Sequence, residues 1–148
     1  MTSSAHPPAR ARPGVPEIIA VLVGGALGTA LRLMVDAALP HEPDQVALST
    51  LLVNTAGSFV LGLLVATVWP RVPGWARAGL GAGLLGSFTT FSALAVSVVA
   101  LAESGDSLLA VLSVAVSLAL GLLAAGAGLA LGRRRSGAEA LPIDEVTE

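Results

Sequence analysis

Gly86-Ser87-Phe88-Thr89-Thr90-Phe91-Ser92 lies inside an apolar run from about Ala76 to Ala102. The run reads as one membrane span. At ~1.5 Å per residue an unbroken helix of that length reaches roughly 40 Å, against a hydrocarbon core of ~30 Å. Tilt can absorb the excess, and so can a break in the helix. Ser and Thr hydroxyls hydrogen-bond local backbone, and Gly lowers the cost of non-helical dihedrals. A broken helix in lipid frees amides and carbonyls that must then face protein, an ion or a water-filled cavity. A lone Gly-Ser pair would suggest only a kinked helix packed through small residues. Four hydroxyls, one Gly and two Phe within this stretch favour an ion or pore site instead, with the non-helical break expected at Gly86–Thr89.

The composition bounds the rest. Of 148 residues 54% are apolar and 12% charged, and mean hydropathy is +0.82. Soluble domains carry about 25% charged residues. The chain therefore reads as an all-α integral membrane protein with room for about four spans. A net charge of −2 gives no sign of a nucleic-acid partner. With no Cys there is no disulfide or thiolate chemistry. The two His, His6 and His41, stand outside the apolar runs, so catalytic or metal-ligand clusters are not expected within the membrane and no enzyme is implied.

The spans follow in order. Pro7, Pro8, Pro13 and Pro16 with Arg10 and Arg12 mark a disordered, basic lead-in. The run from Ile18 to about Leu39 is too long for the apolar core of a signal peptide and reads as span one. It carries Gly24 and Gly28 four apart, a small-xxx-small pattern for close helix contact. Its Arg32 must snorkel, pair or meet water, and Asp36 one turn later is a possible partner. Span two runs from about Leu48 to Trp69. Thr50, Asn54 and Ser58 recur every four residues and form a polar stripe on it. Asn54 matters most, because a buried carboxamide without partners is costly. It serves either as glue between helices or as the lining of a polar pathway.

Trp69 and Trp75 flank a Pro-rich turn at interface depth. Gly81, Gly83 and Gly86 spell a literal G-x-G-x-x-G, but no strand precedes it, so a dinucleotide site is rejected. Helix packing explains Gly79 and Gly83 better. Span four runs from about Ser107 to Leu131, with Ser113 and Ser117 on one face and small residues at Gly121, Ala125, Gly128 and Gly132. The ordinary role of such hydroxyls is to bond the carbonyl four residues back. The expected organisation is a disordered basic tail at 1–17, a four-helix transmembrane channel domain at 18–132 and a disordered tail at 133–148.

Taken together, the motifs resemble the Fluc/CrcB family of small fluoride channels. The resemblance rests on Gly24-Gly25-x-x-Gly28 with Arg32, on Thr50-Leu51-x-x-Asn54-x-x-Gly57-Ser58-Phe59, and on Gly86-Ser87-Phe88-Thr89-Thr90-Phe91-Ser92. It covers about residues 18–132. It implies four transmembrane helices with the third broken, in an antiparallel dimer with two pores and a central structural Na⁺. The Na⁺ would be held by the backbone carbonyls of Gly86 and Thr89. Asn54 and Phe91 would face fluoride, Thr50, Ser113 and Ser117 would extend a hydroxyl track, and Arg32 would match the family's span-one Arg in a vestibule or structural role. Fluoride is strongly hydrated, and amide and hydroxyl donors and the positive edges of aromatic rings can replace lost water. The family pattern continues to a second Phe where this chain has Leu94, so only Phe91 can supply a ring edge.

The implied function is passive fluoride export across the bacterial inner membrane. Two other classes compete. A non-transporting scaffold would use its polar residues only for packing. A small-multidrug-type exporter typically needs a mid-membrane Glu, which these spans lack. Charge placement adds a partner expectation. The side bearing both termini holds Arg10, Arg12, Arg71, Arg77, Arg133, Arg134 and Arg135, while the loops on the other side hold Glu42, Asp44, Glu103 and Asp106 and no Lys or Arg. The termini are therefore expected in the cytoplasm. An antiparallel dimer then requires an oppositely oriented paralogue.

Overall fold

The computed structural model describes residues 13–40 and 47–138, with side chains as far as residue 135. Four spans follow one another: α1 (Val15–Ala38), α2 (Leu48–Thr67), a third span over Gly74–Glu103, and a fourth that begins at Ser107. Each is long and apolar enough to cross a membrane. The described residues contain no strand. The architecture is that of an all-helical, multi-pass membrane protein. Its surface agrees: Leu22 is 67% and Leu122 75% exposed, which lipid tolerates and water would not.

The third span is not one helix. It begins as α3 (Gly74–Ala78), widens into a π-helical stretch (Gly79–Leu85) and closes with the short α4 (Gly86–Phe88). Residues 89–91 are non-helical, and α5 (Ser92–Glu103) resumes beyond them. The break therefore lies about three residues later than the expected one at residues 86–89. Gly86 itself is helical, at φ −65° and ψ −27°, and the chain leaves the helix at Thr89, whose ψ is 153°. The π stretch was not foreseen. In it the Gly86 amide reaches the carbonyl of Gly81, five residues back.

The ends of the spans follow local rules. α1 starts at Val15, ahead of the expected Ile18. Pro16 in the first turn lacks only an N–H that has no helical partner there, and Glu17 meets the positive end of the dipole. α5 ends in a Schellman turn: the Asp106 amide donates to the Leu101 carbonyl at 2.9 Å and the Gly105 amide to that of Ala102 at 3.2 Å. The turn needs φ +95° at Gly105, which a side chain would resist. The final helix, α6 (Ser107–Ala138), continues through the Arg triplet past the expected end at Leu131, since Arg is a good helix former and favourable at a C-terminus. The remainder of both expected tails, and the loop holding Glu42 and Asp44, fall outside the described residues.

Glycines bring the spans into contact. A side chain at Gly24 would meet the carbonyl of Gly79, and one at Gly28 the carbonyl of Leu84, so α1 lies backbone to backbone against the π stretch. α2 and α6 pack the same way. A Cβ at Gly62 would strike the Ala125 carbonyl, and one at Gly128 the Phe59 carbonyl. Between helices in lipid, close van der Waals contact replaces the hydrophobic drive available in water. Both expected roles, for Gly24 with Gly28 and for Gly79 with Gly83, hold.

Two positions on α6 test this packing against each other. A Cβ at Gly128 meets backbone that cannot rotate away, while nothing lies within 4 Å of one at Gly126. Gly128→Ala should destabilise the protein by about 1–3 kcal/mol, as overpacking does. Gly126→Ala should be neutral or mildly stabilising through helix propensity. Thermal melting of the purified variants in detergent distinguishes them. Equal melting temperatures would contradict the backbone contact.

Candidate functional site

The break is held from α2. Asn54 is half-buried in mid-helix, and its carboxamide grips both backbone groups of one residue. Its Nδ2 donates to the Thr90 carbonyl at 2.8 Å, and its Oδ1 accepts from the Thr90 amide at 2.8 Å. A side-chain amide supplies one donor group and one acceptor in the spacing of a peptide, so it can stand in for a missing piece of helix ladder. The glue reading of Asn54 is thereby given a specific object, the broken segment. Thr90 takes one of the two Nδ2 hydrogens, which leaves the other for a further acceptor.

The hydrogen bonds around the break have a second consequence. In a continuous helix the Thr90 amide would donate to the Gly86 carbonyl, and the Ala93 amide to the Thr89 carbonyl. Here the Thr90 amide goes to Asn54 Oδ1, and the Ala93 amide goes to Thr90 Oγ1 at 3.2 Å. The helical donors of the Gly86 and Thr89 carbonyls are thus both diverted. One residue upstream the ordinary helical bond is kept, with the Thr89 amide reaching the Leu85 carbonyl at 2.9 Å. Thr89 Oγ1 donates to the same carbonyl at 2.9 Å, and Thr90 Oγ1 also lies 3.1 Å from Ser92 Oγ. Downstream the Ala95 amide donates to the Phe91 carbonyl, which starts α5.

The break opens onto a groove of about 860 Å³ between α2, the first half of the third span and α6. The groove runs along α2 from Asn54 to Leu61, about 10 Å at the helical rise, and on to Trp69 beyond the end of α2. Its walls are mainly apolar. Polar groups come from Asn54, Ser58, Thr89, Thr90 and Ser117, and from Arg77 at the end beside Trp69. Phe91 lines it and is 74% exposed, while Leu94 borders it but is only 7% exposed.

The structure brings together Asn54, Gly86, Thr89, Phe91 and Ser117 of the expected site residues. Thr50 and Ser113 are buried and do not line the groove. The Ser113 hydroxyl donates to the Leu109 carbonyl at 2.8 Å, the ordinary role for Ser in a membrane helix. Arg32 is half-buried on α1, away from the groove, and forms no ion pair with Asp36. Arg77 was read only as a loop-side charge, although it faces the groove. A basic residue one turn into an apolar span is the signal that could have marked it. Thr90 was passed over for its backbone role, which no local sequence signal reveals.

The described residues contain no cluster of three His, Asp or Glu side chains. A cation bound here would need neutral oxygen ligands, and the diverted Gly86 and Thr89 carbonyls are of that kind. An anion would instead meet the remaining Asn54 hydrogen, hydroxyls and the Phe91 ring.

Comparison with known proteins bears on these options. The sequence matches the family described as CrcB-like protein, Camphor Resistance (CrcB), over residues 19–129. It is 44% identical over 116 residues to the fluoride-specific ion channel FluC of Azotobacter vinelandii, covering 76% of this chain and 94% of that protein. It is 44% identical over 120 residues to fluoride-specific ion channel FluC 1 of Symbiobacterium thermophilum, covering 76% and 95%. Against fluoride-specific ion channel FluC 2 of Nocardia farcinica the identity is 40% over 131 residues, covering 84% and 89%. The match takes in all four spans, the broken third and the α2 segment that grips it, and on this ground the chain is a member of the CrcB-like family.

Proposed function

We propose that this protein is a fluoride-specific channel that releases fluoride passively from the cytoplasm across the inner membrane. The observation that carries this reading is the helix break inside the membrane. A break there is tolerated only where protein, ion or water meets the freed backbone. Asn54 meets part of it, and the break borders a groove equipped with amide, hydroxyl and ring-edge donors. The names of the relatives point to the same ion. A scaffold has no need of such a groove, and an exporter coupled to protons would need an acid among its lining residues.

The working unit in this reading is an antiparallel dimer with two pores. One chain offers two diverted carbonyls, Gly86 and Thr89, too few for a cation alone. A second chain brought to the same axis would double them, and a Na⁺ held there would offset the charge of passing anions. Phe91, largely exposed in one chain, would be covered by the partner. Asn54 and Ser117, which line the groove, would be fluoride contacts in this reading. Thr50 and Ser113 would need to reach a pore completed by the second chain, and Arg32 would act at its edge.

The orientation follows from charge. With both termini cytoplasmic, every Arg outside the apolar core lies on one side, so the oppositely oriented member of the dimer would be a paralogue with the reverse bias. Leu94 in place of a ring fits a pair in which one pore is complete and the other is not.

Vesicles loaded with fluoride test the function. Co-reconstituted with such a paralogue, the chain should release fluoride rapidly and chloride negligibly. Equal release of both ions, or of neither, contradicts the proposal. The chain alone should release little, and robust efflux without a second protein would remove the need for a partner. Asn54→Asp both loses a donor to the Thr90 carbonyl and places a carboxylate beside the anion path. It should reduce efflux at least about a hundredfold, given the cost of an unpaired buried group. A reporter fused after Glu148 should be active only in its cytoplasmic form, and substantial periplasmic signal would overturn the fixed orientation.

A further inference from the structure

The grip of Asn54 on Thr90 holds the break from α2 at one residue. A second contact lies one turn along the same face of α2. A Cβ at Gly57 would run into Cγ2 of Thr89, with Phe88 Cδ1 in ordinary contact at 3.4 Å. Gly57 is buried. We infer that Gly57 is a positioning residue for ion passage: its bare backbone receives the Thr89 methyl and so sets where the Thr89 and Thr90 backbone stands in the pore region. The inference deepens the channel reading and rests on it for the link to ion flow.

Thr89 cannot easily yield to a side chain at residue 57. Its hydroxyl is committed to the Leu85 carbonyl at 2.9 Å, which holds χ1. As a β-branched residue it has few other rotamers. Its amide continues the upstream ladder, and the next peptide is clasped by Asn54. Relief therefore shifts the backbone at residues 89–90 against α2, where the diverted Thr90 amide and the Thr89 carbonyl lie. Helix propensity works in the opposite direction, because Ala is favoured over Gly within α2. A loss on substitution therefore reports the contact and not the helix.

The colliding atom is a single methyl, and that makes the test specific. Thr89→Ser deletes Cγ2 and keeps the hydroxyl that bonds Leu85. Gly57→Ala should lower fluoride efflux about tenfold in the wild-type background, the size of a modest overpacking cost, and less than about twofold in the Thr89→Ser background. Each ratio is taken against its own parent, in vesicles with the same partner. Melting of the same four proteins in detergent should show the same coupling. Unaltered efflux and melting in Gly57→Ala overturn the inference. So does an equal loss in both backgrounds, including failure of both alanine variants to fold. Folding only in the Thr89→Ser background supports it. If no variant, nor the parent, releases fluoride, the channel reading fails, and the melting coupling alone decides whether Gly57 receives the methyl.

Discussion

A backbone group in lipid must find a partner, and the Asn54–Thr90 pair is where this chain meets that demand. Breaking the third span strands peptide groups in a medium that offers no hydrogen bonds. One carboxamide from α2 takes the N–H and the C=O of Thr90, one from each of two successive peptide units. The exchange frees the Gly86 carbonyl from its helical donor, and the Thr90 hydroxyl does the same for Thr89 by capping Ala93. The break is therefore not a region of lost structure. It is a rearranged set of hydrogen bonds that diverts the helical donors of two carbonyls, Gly86 and Thr89, at residues that line the groove.

The clasp depends on α2 standing close and in fixed register, and glycine provides that. α2 is locked to α6 through Gly62 and Gly128, each against a carbonyl of its neighbour. The first half of the third span is locked to α1 through Gly24, Gly28, Gly79 and Gly83. These are two close-packed pairs, and the bonds from Asn54 to Thr90 join them. Few large side chains are buried; Val53, Leu85, Leu94 and Leu101 account for most of the apolar interior. Steric exclusion between backbones thus sets the geometry more than the bulk of a core does.

Much of this was legible in the sequence. Four spans, their approximate limits and the glycine contacts follow from hydropathy and spacing. A break was legible because the span is too long and holds four hydroxyls near a glycine. Its place was not, because the deciding partner lies 36 residues away in the chain. Local propensity marked Gly86, while the tertiary bond selected Thr90. The polar stripe is less uniform than its four-residue spacing suggests. Residues four apart drift by ~40° around a helix, so Thr50 and Ser58 diverge while Asn54 stays between them. Thr50 turns inward and Ser58 faces the groove. The π stretch had no signal beyond its glycines.

The central claim is that the Asn54 side chain, and not lipid, water or a distorted helix, satisfies the Thr90 amide. Hydrogen–deuterium exchange resolved to single amides measures this directly on the purified protein in micelles. The Thr90 amide should be protected in the wild type and exposed in Asn54→Leu, with the Thr89 amide protected in both, since its acceptor is the Leu85 carbonyl. Fast exchange at Thr90 in the wild type, or unchanged protection without the carboxamide, would contradict the account.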